Sequence, residues 1–456
     1  MPSCCVQITW GKFSLLLLVA LLCLLLSEMT AITAHFPQGV DFSVRNAVYE
    51  SLVACDWPLY TKDGSFFVYY LGYWLFPAAL SKFFPSNYMW WILEGWFFVG
   101  VFLMSVLLIL KRGGRALFFL VILLSLADIV VTYHFFYHYL HKILGYVQAV
   151  YNLNIDCVHE LSFYILKRLS FLYFYPAPFA NYINSYHLVL PSWCILALLL
   201  TDSIDKKAYL LVASFLLICS PLSGVALCVF LFCYWIKEKN RWSMVFNVYT
   251  LAACFFLIPL ALFYCLNESG FVAFTFNHRE WLHARPTIYC NVFFILAPAF
   301  LILKEKRKSV LFCSFVLLFL VLPLVWVGAS HANEFLYKGS CVMWFLLAWL
   351  YSEKVNSILC SRMKWAFLLI LFIPLIFSIF VKLGRFSMDD EKIAANIQNR
   401  LNGHFNHEDG APYCFQFKGK QPSALFYQTP GESANGVLKP FSTGMRPDCF
   451  RGMNLP

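Results

Sequence analysis

Charge is scarce in this chain. Only 13% of its 456 residues are Asp, Glu, Lys or Arg, while 61% are hydrophobic. Soluble domains run at about 25% charged and roughly 45–50% apolar, so the composition excludes a water-soluble globule. The mean hydropathy of +0.69 says the same. Metal-binding cysteine patterns are also missing. The 17 cysteines include no Cys-x-x-Cys pair and no Cys/His zinc spacing. Most stand alone in apolar segments, as Cys23, Cys219, Cys228, Cys254 and Cys313 do, where a thiol acts as a small hydrophobe. No internal repeat is visible, which disfavours a transporter built from two related halves.

Aromatic residues are abundant: with 48 Phe, 25 Tyr and 14 Trp the chain cannot stay solvated and disordered. The net charge of +10 comes from short basic clusters between apolar blocks. These read as orientation signals rather than a nucleic-acid surface. The blocks have the length that crosses about 30 Å of hydrocarbon as a helix. The first runs from Phe13 to about Thr33, as an uncleaved anchor or, less favoured, a signal peptide cut near Ala34. Others lie at about 88–110, 116–138, 187–201, 208–221, 222–236, 243–265, 286–303, 309–328, 340–352 and 365–382. A Ser220-Pro221-Leu222-Ser223-Gly224 break divides two of them.

Charge counting orients the blocks. The N-terminus and connections 111–115, 202–207, 237–242, 304–308 and 353–364 hold 16 Lys and Arg. The longer opposite loops hold nine, so the positive-inside rule puts the former in the cytoplasm. Residues 66–84 are apolar enough to span, yet spanning would move the Lys111–Arg115 cluster outside; with Pro77 and nine aromatics they suit a helix at the outer interface. The expectation is an all-α polytopic membrane protein of about eleven transmembrane helices. Residues 1–382 form the membrane domain, with a first outer loop at 34–87, and residues 383–456 form an extracytoplasmic tail. Cys414 and Cys449, the tail's only cysteines, are spaced for a disulfide or for none.

Chemistry therefore belongs on the outer face. The first outer loop carries Asp41, Arg45 and the Val48-Tyr49 step at helical spacing, which sets acid and base on one helix face. A carboxylate there serves as a base towards an acceptor hydroxyl, or simply caps the helix. Cys55-Asp56-Trp57-Pro58, Lys62-Asp63-Gly64 and an aromatic Tyr-Tyr-x-x-Tyr-Trp run follow. This succession resembles the C-type (GT-C) membrane glycosyltransferases, and within them the aminoarabinose and protein mannosyl transferases that use polyprenyl-phosphate-linked sugars. The resemblance covers roughly residues 10–85, and the remainder only in topology. It aligns Asp41 with the family's catalytic acid and Cys55-Asp56-Trp57 with its Gly-Asp-Trp step. Phe42 stands where many members have a second acid, and Phe66–Tyr70 replaces their Lys-Pro-Pro-Leu segment.

Two later loops offer cations. Asn277–Arg285 packs His278, Arg279, His283 and Arg285 into nine residues, suited to a phosphate leaving group or to anionic lipid. His331–Ser340 carries Glu334 and Lys338 four apart, either an ordinary helix ion pair or a further phosphate contact. It resembles the Asn-Asp-(Phe/Leu)-x-Met-Arg-x-Ser stretch of a group of bacterial polytopic proteins from surface-polysaccharide loci, with Glu334 and Lys338 at its acid and basic positions. Inside the apolar blocks, Glu94 lies near a helix end, where it can reach the interface, and Asp128 lies near mid-span. His134, His138 and His141 form a polar stripe beyond it, and Asp156, His159, Glu160, Lys167 and Arg168 occupy the 139–186 loop.

The resemblance implies sugar transfer in a bacterial inner membrane, from a polyprenyl-phosphate-linked donor to a glycan or lipid acceptor. Asp41 is the expected base and Asp56 a second polar contact. Arg45, Lys62, His278, Arg279, His283, Arg285, Glu334 and Lys338 are the expected substrate-binding residues. No cofactor is implied, and no acid cluster marks a divalent metal. The partners expected are membrane lipid, donor and acceptor, without nucleic acid. Rival readings are an O-antigen or capsule polymerase, a lipid-linked glycan flippase, and a non-enzymatic scaffold.

Overall fold

The computed structural model describes residues 10–30, 32–33, 41–54, 57, 70–126, 178, 182, 185–265, 272–274, 291–327 and 333–359. Within these the chain is mostly helical, as its apolar blocks predict. One short antiparallel ribbon pairs β1 (Val272–Phe274) with β2 (Val325–Val327), setting Ala273 opposite Trp326. Nothing in the apolar periodicity announced it.

The helices are α1 (Trp10–Glu28), α2 (Asp41–Ala54), α3 (Gly72–Ser81), α4 (Met89–Arg112) and α5 (Arg115–Ser125). They continue with α6 (Tyr186–Leu200), α7 (Tyr209–Cys219), α8 (Pro221–Lys237) and α9 (Val248–Cys265). A π-helical turn at Val292–Leu296 leads into α10 (Ala297–Ile302), followed by α11 (Val310–Val321) and α12 (Glu334–Leu359). The stretch Ser86–Arg112, which contains α4, is long and apolar enough to cross a membrane, and six other apolar helices are 10–17 residues long.

A helix that is apolar all round belongs in the middle of a bundle, and α12 is such a helix. Every residue from Cys341 to Tyr351 is buried, and α5, α6, α8 and α11 pack around it. A second layer forms on α4, which carries α1, α3 and α6. The Ser220-Pro221 break is real: α7 stops at Cys219, Pro221 opens α8, and Ser220 Oγ donates to Ser223 Oγ at 2.6 Å. Ser223 Oγ then donates to the Lys338 carbonyl at 2.9 Å, fastening that break to α12.

The basic connections gather at one end. Gly113, at φ 58, makes the turn from α4 to α5 that a side chain would strain. Next to it, Arg112 stacks 3.8 Å over the Trp349 ring, donates to Ser352 and pairs with Glu353. Lys306 also pairs with Glu353, at 2.8 Å, and Lys354 pairs with Glu305. Lys237 donates to the Lys308 carbonyl, and Lys206 pairs with Glu238 at 2.8 Å. Connections 111–115, 202–207, 237–242 and 304–308 therefore meet the far end of α12 on one face, as the charge count requires.

The opposite end carries α2, α3 and the beginnings of α6 and α12. Of the segment 66–84, residues 70–84 are described, and their helix α3 has ten residues. At 1.5 Å per residue it rises about 15 Å, half of the hydrocarbon thickness. Tyr73, Trp74, Pro77, Ala78 and Ser81 face the bundle, while Phe76, Leu80, Phe83 and Phe84 are exposed.

Candidate functional site

The first piece of the site is α2. The helix begins at Asp41, and its inward face carries Arg45, Val48, Tyr49 and Leu52, all buried. The side chain of Asp41 lies outside the described residues. Tyr49 fixes the helix in place. Its hydroxyl donates to the Met89 carbonyl at 3.0 Å and sits 2.9 Å from Ser81 Oγ, while its ring meets Trp90 at 5.5 Å. Burial pushes the phenol's pKa up, so it stays a neutral donor. Trp57 folds back after the helix: its indole donates to the Leu52 carbonyl at 2.8 Å, under the Lys82 ammonium.

The second piece is the start of α12. Lys338 pairs with Glu334 at 2.6 Å, the i,i+4 contact expected from spacing. The same ammonium also reaches Tyr70, whose phenol oxygen accepts at 2.9 Å. The lysine side chain is only 14% exposed, against 37% for the glutamate. An ion pair and a long-range contact thus coexist, and the latter ties α12 to the chain entering α3.

His187 joins the two pieces. It is the second residue of α6 and is 1% exposed. Its ring stacks on Trp74 at 4.5 Å and on Tyr70 at 6.1 Å, with Tyr186 edge-on at 5.4 Å. Neither ring nitrogen has a hydrogen-bond partner among the described residues. Leaving a buried polar group unmet costs about 1–3 kcal/mol, so such a group marks a place where something else binds. The hydroxyls of Tyr73 and Tyr182 are buried and unmatched among the described residues as well, and burial pushes both phenols up.

Glu94 does not reach the interface. It is 4% exposed on the α4 face that also carries Trp90 and Phe97, and Phe97 packs on Tyr182 and Tyr186. The carboxyl therefore faces the bundle interior, because that helix face is covered by the aromatics of this end.

Of the residues expected from sequence, Lys338 reaches Tyr70, which stacks on His187, Glu334 comes with Lys338, and Arg45 is buried on α2. Asp56, Lys62, His278, Arg279, His283 and Arg285 lie outside the described residues. So do Asp128, His134, His138, His141, Asp156, His159, Glu160, Lys167 and Arg168, the span 365–382, and the tail with Cys414 and Cys449. Sequence reasoning missed His187, Tyr70 and Trp74 as site residues. The available signal was a histidine at the edge of an apolar block, after the tyrosine-rich Asn181–Tyr186 stretch. Among the described residues no three His, Cys, Asp or Glu side chains group as metal ligands would.

Chemically, this is an aromatic-walled end of the bundle with a buried imidazole, a buried arginine and a lysine–glutamate pair. It suits a phosphate-bearing ligand, since Arg and Lys supply charged donors and the rings give a flat apolar or sugar-stacking surface. No protein-family model, curated protein or solved structure matches the chain.

Proposed function

We propose that this chain is a polytopic membrane glycosyltransferase that takes a sugar from a polyprenyl-phosphate-linked donor at the outer surface of the membrane. Apolar exposure supports the membrane reading. Leu17, Leu18, Leu21, Leu22, Leu24 and Leu25 of α1 and Leu251, Phe255, Ile258 and Leu262 of α9 all lie on the surface. Two such helices would not stay in water, whereas lipid solvates them. Gathering of the basic connections at one end supports a cytoplasmic assignment of that end, which leaves Arg45, His187 and Lys338 on the other side.

The observation that carries the functional reading is the joining of Lys338 to His187 through Tyr70, which accepts from the lysine at 2.9 Å and stacks on the imidazole, at the end of the bundle that holds α2. In the reaction, an acceptor oxygen forms a bond to the sugar's anomeric carbon and gives its proton to the Asp41 carboxylate. The bond from that carbon to the phosphate oxygen breaks, and its electron pair leaves on the phosphate. Developing negative charge there is stabilised by the cations already in place. Purified full-length protein in proteoliposomes, given a radiolabelled polyprenyl-phosphate hexose and envelope extract as acceptor, tests it. Label moving into a glycan or lipid product is expected; hydrolysis-free recovery of the donor under all acceptor conditions would overturn the transferase reading.

A further inference from the structure

The connection from α8 to α9 carries its aromatic rings on the outside. Phe232, Trp235, Trp242 and Phe246 form a ladder with ring centres 6.2, 5.4 and 5.7 Å apart, running from the end of α8 through the turn at Arg241–Val245. Phe232, Trp242 and Phe246 are exposed, as are Val248 and Phe255 at the start of α9. Rings left uncovered on that scale mark a contact surface. Arg241 stacks over two rungs of the ladder, 5.5 Å from the Trp235 ring centre and 5.9 Å from that of Trp242. Such stacking occupies the guanidinium faces and leaves the N–H donors in its plane for oxygen acceptors.

The net charge here is positive. Lys206 and Glu238 pair at 2.8 Å, and the Lys206–Ala208 turn packs against Arg241–Val245. Asp205 accepts from the Lys207 backbone N–H, and Asp202 from the Tyr209 hydroxyl. Connections 202–207 and 237–242 together hold five cations against three acids. Lys239 and Arg241 are exposed in the stretch between Trp235 and Trp242.

We propose that this ladder and its two cations, Lys239 and Arg241, form a binding site for an anionic phospholipid. Its phosphodiester oxygens meet the cations, and its acyl chains lie along the exposed rings and α9. Aromatic rings and cations at one level are what a headgroup boundary selects. A second copy of this chain is a poorer occupant, because two-fold pairing would set these cations against their own copies. The inference rests on the membrane part of the proposed function and not on sugar transfer.

Full-length protein in detergent is given equal amounts of phosphatidylglycerol and phosphatidylcholine, and the retained lipid is read by native mass spectrometry. The parent is expected to retain phosphatidylglycerol in preference. Lys239→Gln combined with Arg241→Gln is expected to lower that preference on the order of 10- to 30-fold, roughly fivefold for each cation at an anionic surface. The same change at Lys111 and Arg115, exposed cations of another basic connection, is expected to leave it in place. Trp242→Leu keeps an apolar side chain but removes a ring on which Arg241 stacks, and is expected to fall between the two. A preference absent from the parent, kept by the double variant, or lost equally at Lys111 and Arg115 overturns the site. So does a parent dimer that Trp242→Ala abolishes, which names a second copy as the occupant. If the double variant does not accumulate, diazirine-bearing phosphatidylglycerol cross-linked to the parent decides: attachment within residues 232–249 is expected, and attachment only elsewhere refutes the site. Parent protein that stays monodisperse in plain buffer fails the membrane reading itself, whereas a membrane-embedded parent blind to headgroup charge fails this site alone.

Discussion

The Lys338 ammonium lies 2.9 Å from the Tyr70 phenol oxygen, a contact across 268 residues of sequence. It joins the first turn of the central helix α12 to the chain that enters α3. Tyr70 in turn stacks on His187. Removing the hydroxyl alone, with Tyr70→Phe, keeps the ring and leaves the ammonium held by Glu334 alone, which it already meets at 2.6 Å. Donor kcat/KM is expected to fall about tenfold, as for a lost hydrogen bond to a charged group, with little change in melting temperature. Lys338→Met should cost more in kcat/KM than Tyr70→Phe. Steady-state kinetics on the two purified variants would show the order, and equal activity of all three proteins would remove the pair from the site.

Tyr49 is the peg that fixes α2. Its hydroxyl touches Ser81 and the Met89 carbonyl from a fully buried position. Tyr49→Phe takes a partner from the buried Ser81 hydroxyl and from the Met89 carbonyl and should cost about 1–2 kcal/mol, while Tyr49→Ala should cost about 3–5 kcal/mol by adding a cavity. Reversible unfolding in mixed micelles measures both. Arg45 sits one turn before Tyr49, so phosphate affinity should fall in step with the loss of stability.

Parts of this arrangement were legible from spacing alone. Glu334 and Lys338 lie four apart, and helical geometry places such a pair together whatever surrounds it. Basic connections could be assigned to one side because orientation depends on local charge. His187 could not be found that way: as the opening of an apolar block it reads as the edge of a span. Its importance comes from α3 and α12 packing against α6, which no local pattern encodes. Glu94 shows the same limit, since only the covering aromatics decide whether a carboxyl near a helix end reaches water.

Close packing of α3 against α7 depends on Gly72. A Cβ there would lie 2.4 Å from Ile218 Cγ2 and 3.0 Å from the Ile218 backbone carbon. Neither the branched side chain nor the backbone can step aside freely. Gly72→Ala is therefore expected to destabilise by about 1–3 kcal/mol, the usual range for overpacking. It should also shift Trp74 and weaken farnesyl phosphate binding, whereas Gly95→Ala, which meets nothing within 4 Å, should do neither. Thermal unfolding of both variants side by side is the check.

Orientation is tested by fusions. The basic end holds 237–242, and the opposite end holds the ribbon and the start of α12. A periplasm-active alkaline phosphatase inserted after Lys239 should be silent, and one inserted after Ala332 should be active. The reverse pattern would put Arg45, His187 and Lys338 in the cytoplasm and exclude an outer-surface donor site.

Asp41 carries the heaviest chemical assignment. It opens α2, four residues before the buried Arg45. A residue at a helix start also has a plain structural use, because Asp accepts hydrogen bonds from the first free N–H groups. Asp41→Asn separates the two roles: Asn caps about as well as Asp, but it cannot take a proton. The expected outcome is a protein that inserts and melts like the parent, binds farnesyl phosphate like the parent, and transfers sugar on the order of 10²–10⁴-fold more slowly. Asp41→Ala should add a loss of stability of about 1 kcal/mol from the missing cap. Full transfer by Asp41→Asn would leave Asp41 a capping residue and move the search for the base to Asp56.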